Sequence, residues 1–193
     1  FRCLEQIRND ICYMNNDVTI VSIGAGFSYG THGYSHHALE DITIMRSLPN
    51  ISIYSPLDPN DVRSTTQHIL NTTGPSYLRL GKDGELNFPI QRNHLNIDSF
   101  VEYEIGSDGT LVFTGNIGHI ALSAAKELRE RNIFLSVAGC SSISNLDKKY
   151  LDGAFNRGLL VSIEEHTPVG GFGSAILEWF VENYGTTPKM KIL

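Results

Sequence analysis

The sequence predicts an α/β fold of two consecutive α/β units, each with a mostly parallel sheet. Short runs rich in β-branched residues alternate with segments of helical periodicity along the chain, and residues 81–100 interrupt this alternation with turn-forming residues. We therefore expect a first unit over residues 1–85, a linker over residues 86–99 and a second unit over residues 100–193. A chain of 193 residues has room for two small units.

The elements of the first unit follow from local patterns. Apolar side chains between Arg2 and Tyr13 recur at helical spacing, which predicts an amphipathic helix. The β-branched run of residues 18–23 predicts a strand that is buried on both faces. The other predicted elements of this unit are a helix over residues 38–47, a strand over 51–54, a helix over 61–72 and a strand over 75–80.

The second unit repeats this alternation. Its predicted core strand, residues 110–114, is followed by Gly-Asn-Ile-Gly and by a helix over residues 119–131. The last run, residues 190–193, is predicted as an edge strand. The remaining predicted elements are strands over residues 100–104, 133–138 and 159–164 and helices over residues 147–155 and 174–184.

Composition and charge argue against several classes of function. The net charge of −6 argues against nucleic acid as the main partner, because phosphate binding needs clustered Lys and Arg. The apolar runs are far shorter than the roughly 20 residues of a membrane span, so we expect no membrane partner. No signal peptide is visible, and the three widely spaced cysteines are typical of reduced thiols, which predicts a cytoplasmic protein.

Loops that follow strands are the places to look for a site, because ligands of open α/β sheets bind beyond the carboxyl ends of the strands. Three such loops are predicted, over residues 24–37, 115–118 and 166–173. The first carries His32, His36 and His37 among glycines, and imidazoles placed there can shuttle protons or contact anions. Adjacent histidines seldom point to one centre, so no metal site is predicted. A polar surface loop without a ligand stays open as the alternative.

The other two loops and two basic residues each allow two interpretations. Residues 115–118 could bind an anion at a helix N-terminus or form a tight packing turn. Residues 166–173 carry glycines before a helix, which suits either contact with a cofactor or helix packing at an interface. Arg79 and Lys82 could hold a phosphate or be solvated surface charges.

Several motifs occur in a fixed order along the chain. They are Arg-Cys-Leu-Glu-Gln-Ile at residues 2–7, the histidine-containing stretch at 30–40, Arg-Ser-Leu-Pro-Asn at 46–50, Ser-Pro-Leu-Asp-Pro-Asn-Asp at 55–61, Gly-Pro-Ser-Tyr-Leu-Arg at 74–79, Val-Ser-Ile-Glu-Glu-His at 161–166 and Gly-Gly-Phe-Gly-Ser-Ala at 170–175. In this order the motifs resemble the transketolase family over the whole chain. Any one of them alone would be a weak signal.

The resemblance implies a fold and a reaction. It equates the first unit with the pyrimidine-binding domain of the family, incomplete at its N-terminus, and the second unit with the C-terminal domain. Enzymes of this family use thiamine diphosphate and Mg²⁺ to transfer a two-carbon ketol unit between sugar substrates, such as ketose phosphates. The resemblance further implies a diphosphate-binding domain or subunit as partner and a homodimer with sites between its subunits.

The resemblance also implies roles for individual residues. His36 is expected to be catalytic, because the matching histidine contacts substrate oxygens and helps proton transfer. Arg2 is expected to point toward the substrate channel, and Lys82 to bind a substrate phosphate as a point charge where relatives often have arginine. His32 replaces the usual Asp and Tyr34 the usual Pro, so His32 is expected to bind substrate and to alter substrate choice.

Cofactor-binding residues are not assigned within this chain. The glutamate that activates the aminopyrimidine is expected upstream of Phe1, so we expect the isolated chain to bind no cofactor and to be inactive. Two other functions stay open. One is an enzyme similar to deoxyxylulose-phosphate synthase or to an oxoacid dehydrogenase beta chain. The other is a non-catalytic assembly module on the same scaffold.

Overall fold

The computed structural model describes residues 2–88 and 96–193, so Phe1 and residues 89–95 of the predicted linker lie outside the described residues. The helices are α1 (Leu4–Gln6), which continues as a π-helix over Ile7–Tyr13, α2 (Asp41–Arg46), α3 (Pro59–Leu70), α4 (Gly118–Glu130), α5 (Lys148–Arg157) and α6 (Phe172–Tyr184). The strands are β1 (Thr19–Ile23), β2 (Ser52–Tyr54), β3 (Ser76–Leu80), β4 (Val101–Glu104), β5 (Gly109–Phe113), β6 (Leu135–Gly139), β7 (Leu159–Ile163) and β8 (Lys189–Ile192).

The strands form two separate sheets. The first sheet has the order β1-β3-β2 and is parallel throughout. The second has the order β4-β6-β5-β7-β8, in which only β4 runs antiparallel to its neighbour. The predicted fold class, two α/β units with mostly parallel sheets, is confirmed. The last strand lies at an edge of its sheet, as predicted.

Two details of the first unit correct the predictions from sequence. The first helix is α-helical only briefly, and beyond it the backbone widens, so that the Asn16 N–H donates to the Ile11 carbonyl five residues earlier. Strand β1, the outer strand of the described sheet, is not buried on both faces, because the described residues leave one of its faces uncovered. Its side chains alternate between exposed and half-buried, with Val21 57% and Ile23 67% exposed.

The two units share an apolar core. One cluster of buried side chains joins Ile42 of α2 and Ile53 of β2 to Phe172 and Ile176 of α6. Burial of apolar surface is the main favourable contribution to folding, so this shared core fixes the first unit against the second. The loop that precedes α6 is thereby held beside α2. Within residues 2–88 and 96–193, no helix is long and apolar enough to cross a membrane.

Candidate functional site

The histidine-rich loop leaves the carboxyl end of β1 and returns to α2. We call residues 24–40 the His loop. Its first residues extend the pairing of β1 with β3, since the Ala25 N–H donates to the Leu80 carbonyl. Its base is closed by two reciprocal hydrogen bonds between the backbones of Gly26 and Ala38, both 3.1 Å long. The loop is therefore anchored at its two ends while its middle projects beyond the sheet.

The middle of the His loop is built from two short 3₁₀ turns, Gly30–His32 and Tyr34–His36. Gly33 joins them with a φ of 79°, a left-handed conformation that glycine adopts readily. The Tyr34 hydroxyl donates to the Glu40 carboxylate at 2.6 Å, which ties the second turn to the end of the loop. This hydrogen bond and the charge on Glu40 raise the pKa of Tyr34.

Of the three histidines in the loop, two face outward and one faces inward. His36 is exposed, its Nδ1 lies 3.1 Å from the Ser35 hydroxyl, and its ring centroid is 5.2 Å from that of His32. His32 Nδ1 donates to the Tyr29 carbonyl at 3.0 Å. His37 instead donates from Nε2 to the Gly30 carbonyl at 2.9 Å, so it stabilises the loop.

A groove runs beside the outward-facing histidines. One cavity of about 360 Å³ is lined by residues 27–32 and by Lys82. A neighbouring cavity of about 620 Å³ shares Tyr29 and Lys82 with it. The structure therefore brings His32 and Lys82 together with His36 next to them. Arg2 is exposed just before α1 and is not among the residues described along this groove.

The site has no metal centre among the residues that the structure describes. No group of three or more His, Cys, Asp or Glu side chains there is arranged to hold an ion. The three loop histidines diverge because His37 is turned inward to the Gly30 carbonyl, away from the outward-facing pair.

The structure contradicts both interpretations of Arg79. The side chain is neither a free phosphate ligand nor a surface charge. It is 3% exposed, and its Nε donates to Asp41 at 2.8 Å. Its Nη2 donates to the carbonyls of Ala38 and Glu165 at 2.7 and 3.0 Å. Tyr77 also donates to Asp41, at 2.7 Å, and burial together with this carboxylate raises the pKa of Tyr77.

The loop after β7 packs at the interface between the units. The buried Glu164 carboxylate accepts hydrogen bonds from the Phe172 and Gly173 N–H groups at 2.7 and 2.8 Å, so an internal anion occupies the N-terminus of α6. Arg46 of α2 donates to the carbonyls of Gly170 and Gly171. Of the two interpretations of this loop, the contacts support helix packing at an interface.

The turn after β5 is a packing turn. A Cβ on Gly118 would lie 2.2 Å from the Phe113 ring, so the helix approaches the strand more closely than any other residue would allow. The Asn116 amide donates to Glu85 at 2.6 Å. Among the described residues, this turn holds no feature that selects an anion.

Sequence reasoning missed the contact between the end of β7 and the His loop. Glu165 accepts a hydrogen bond from the Phe27 N–H at 3.2 Å, and His166 lies against Asp41. One signal was present in the sequence, since an arginine within a predicted strand needs a buried partner if that strand is covered. The partner itself lies far away in the chain and could not be named from it.

Two family models cover nearly all of the chain. The transketolase pyrimidine-binding domain model matches residues 2–84, and the transketolase C-terminal domain model matches residues 101–193. The chain belongs to the transketolase family. The His loop thus lies in the match to the pyrimidine-binding domain, and the loop after β7 lies in the match to the C-terminal domain. The linker boundaries at residues 86 and 99 stay predictions.

Individual transketolase-family relatives match the same region. The chain is 33% identical over 188 residues to an apulose-4-phosphate transketolase subunit of Actinobacillus succinogenes, a match that covers 94% of this chain and 59% of that protein. It is 32% identical over 195 residues to 1-deoxy-D-xylulose-5-phosphate synthase of Syntrophus aciditrophicus, covering 94% of this chain and 28% of that protein. The chain thus spans only part of the length of the relatives it matches.

Solved structures agree with this fold. A split gene transketolase, described as an inactive beta4 tetramer, superimposes with a TM-score of 0.88 at 32% identity and covers 99% of this chain and 62% of that one. The transketolase of Campylobacter jejuni subsp. jejuni superimposes with a TM-score of 0.66 at 19% identity, over 91% of this chain and 26% of that one, and supports the fold alone.

Proposed function

We propose that this chain is the pyrimidine-side portion of a thiamine-diphosphate-dependent, transketolase-like enzyme that transfers a two-carbon ketol unit between sugar phosphates. One observation carries the proposal: His32 and Lys82 line one cavity at the carboxyl edge of the first sheet, and the ring of His36 lies 5.2 Å from that of His32. One similar protein is described as an apulose-4-phosphate transketolase subunit, and another as a 6-deoxy-6-sulfo-D-fructose transketolase subunit. These names support a sugar derivative with an anionic group as the substrate class.

Each groove residue has a role that suits its chemistry. Lys82 forms no ion pair within the described part of the chain, so its ammonium is available to a substrate phosphate or sulfonate as a point charge. His32 keeps one ring nitrogen for a substrate hydroxyl, because its other nitrogen donates to Tyr29. His36 is the exposed imidazole that exchanges a proton with a substrate oxygen. Arg2 stays a predicted substrate-channel residue.

The cofactor requires groups that the described residues do not provide. The chain has no set of carboxylates or histidines there that fits Mg²⁺, and the N-terminus of α6 is occupied by Glu164. We therefore assign the diphosphate and Mg²⁺ to a diphosphate-binding portion that acts with this chain. Thiamine diphosphate, when bound, supplies the nucleophilic carbon for cleavage of the donor. This chain contributes substrate binding and proton transfer at the groove.

The assembly and location of the protein are part of the same proposal. Two copies of the chain pair with the diphosphate-binding portion, and the exposed Val21, Ile23 and Phe27 beside the site are surfaces that such an assembly would cover. The described cysteines are all free thiols, which supports a cytoplasmic location. Sedimentation of the reconstituted protein tests the pairing, and a single copy of each portion would contradict it.

A second function is favoured by one comparison. The similarity to 1-deoxy-D-xylulose-5-phosphate synthase makes a pyruvate donor the main alternative to a ketose phosphate. The two reactions differ in their products, because a pyruvate donor releases CO₂ and a ketose donor leaves a shorter aldose.

The experiment combines the chain with its diphosphate-binding portion, thiamine diphosphate and Mg²⁺. A panel of ketose phosphates and pyruvate is offered with aldose phosphate acceptors, and products are followed by mass spectrometry. We expect a shortened aldose and an extended ketose from the complete mixture, and no turnover from the chain alone. CO₂ release from pyruvate would establish the alternative. Turnover of no donor by the complete mixture would contradict both enzymatic proposals and favour an assembly module.

A further inference from the structure

The segment that follows β7, residues 164–167, touches the His loop directly although it lies far from it in the chain. The Glu165 carboxylate accepts a hydrogen bond from the Phe27 N–H at 3.2 Å. The Thr167 N–H donates to the Leu39 carbonyl at 2.8 Å. These two hydrogen bonds hold the beginning and the end of the loop in place, and in both the partner belongs to the second unit.

The second unit packs closely against the His loop at Glu165. A Cβ on Gly26 would lie 2.3 Å from the Glu165 Cβ, so the Glu165 side chain packs directly on the loop backbone. Arg79 reaches both partners at once, donating to the carbonyls of Ala38 and Glu165 at 2.7 and 3.0 Å. Arg79 is held in turn by Asp41 at 2.8 Å. A buried guanidinium therefore joins the closing residue of the loop to the second unit.

His166 completes the contact on the other side of Asp41. Its ring is buried, and its Nδ1 lies 2.8 Å from the Thr167 carbonyl, which can only accept, so Nδ1 carries a hydrogen. Its Nε2 lies 3.8 Å from Asp41 Oδ1, too far for a hydrogen bond, and neither atom has a hydrogen-bond partner in the described structure. The buried ring of His166 thus packs beside the carboxylate that holds Arg79.

We infer that Glu165 and His166 are positioning residues for the reaction, and that they act through the His loop on His36. This inference rests on the proposed function. Neither residue is among those that line the groove, so neither is assigned contact with substrate. They fix the base of the loop, and the base fixes where the two 3₁₀ turns present His32 and His36. The second unit therefore contributes to catalysis by holding a loop of the first.

Misplacement of a catalytic group by about 1 Å can lower the rate about 10²-fold, so loosening the loop should be measurable. In the reconstituted enzyme, Glu165→Ala should lower kcat at least about tenfold, with a smaller change in donor KM, because the defect lies in presentation of the imidazole. Glu165→Gln keeps an oxygen acceptor for the Phe27 N–H and should recover most of the lost rate. His166→Ala should reproduce the fall in kcat.

A matched control is available in the same interface. Glu178 of α6 accepts from Arg46 of α2 at 2.6 Å, so this ion pair also joins the two units, but it contacts no residue of the His loop. Glu178→Gln should leave kcat unchanged. An equal fall in kcat for Glu178→Gln and Glu165→Ala would show that the interface matters only for general stability, and would overturn the inference.

Two further measurements separate this inference from the proposed function. In a His36→Ala background, Glu165→Ala should lower kcat no further, because its effect passes through His36; fully additive effects would contradict the inference. Hydrogen exchange on the chain itself needs no activity. Glu165→Ala should speed exchange across residues 26–38 at least about tenfold, whereas Glu178→Gln should not. If the reconstituted protein transfers no two-carbon unit but shows this exchange pattern, the proposed function is refuted. The inference that Glu165 holds the His loop in place would still stand.

Discussion

The two sheets differ in how completely they are covered. In the second sheet, β5 and β6 are buried along their whole lengths, with layers on both faces. In the first sheet, β1 is an outer strand with Val21 and Ile23 exposed, and only β3 is buried nearly throughout. The second unit thus holds a large core of its own, whereas the first has only a small cluster, Tyr54, Ile69 and Leu78 with Ile97, besides the core it shares with its neighbour. The site lies in the less covered unit, where loops are easier to adjust.

The largest expected effect tests this difference in the core. Phe113 is fully buried in β5 and its ring packs against Phe88 and Tyr103. Phe113→Ala should lower the free energy of unfolding by about 3–5 kcal/mol, because it leaves a large cavity. Val21→Ala in β1 should change it by less than about 0.5 kcal/mol, since the side chain is exposed. Urea unfolding of the isolated chain measures both. Equal losses would mean that the two sheets are equally covered.

The next effect compares two ion pairs. Arg79 and Asp41 in the first unit have side chains only 3% and 14% exposed, whereas Arg129 and Glu104 in the second are 44% and 26% exposed. Arg79→Met should cost about 3 kcal/mol, because it leaves a carboxylate buried without its cation. Arg129→Met should cost less than about 1 kcal/mol. Thermal unfolding measures the stability of both variants. A smaller loss of stability for Arg79→Met than for Arg129→Met would contradict the structural role of Arg79.

The third prediction concerns activity. His36→Ala in the reconstituted enzyme should lower kcat/KM by about 10²-fold or more, as expected when an imidazole assists proton transfer. His119, an exposed histidine on α4 in the second unit, serves as control. His119→Ala should leave kcat/KM unchanged. Steady-state kinetics decide the matter, and unchanged rates for His36→Ala would reduce the His loop to a surface feature.

The order of strands and helices was predictable from sequence because periodicity and β-branched runs report it directly. The burial of a strand was not, since Val21 and Ile23 are apolar whether or not another element covers them. The position of the groove beside the His loop agrees with the rule for open sheets, while the roles of its residues stay predictions. The opposite orientations of His36 and His37 accompany the change from a 3₁₀ turn, which ends at His36, to an extended backbone at His37, and no sequence pattern distinguishes the two rings.

The contact between the units was predictable least of all. Arg79 and Glu165 are separated by 86 positions, and their meeting depends on how two separately formed sheets pack. The local sequence indicates that Arg79 needs a partner but does not identify that partner. Sequence alone therefore predicts that Arg79 is either a phosphate ligand or a surface charge. The family resemblance does not supply the contact either, because it assigns roles to groove residues and is silent on what holds them.

The smallest predicted effect tests the loop after β7 without breaking its contact with the His loop. Glu164 accepts two N–H groups at the start of α6, and Glu164→Gln retains one acceptor oxygen but removes the charge. We expect a loss of about 1–2 kcal/mol in the free energy of unfolding, the cost of a charge-assisted hydrogen bond at a helix N-terminus. Because the shared core still holds α6 beside α2, kcat should change little. A fall in kcat as large as that of Glu165→Ala would show that the helix start, rather than Glu165 itself, holds the His loop in place.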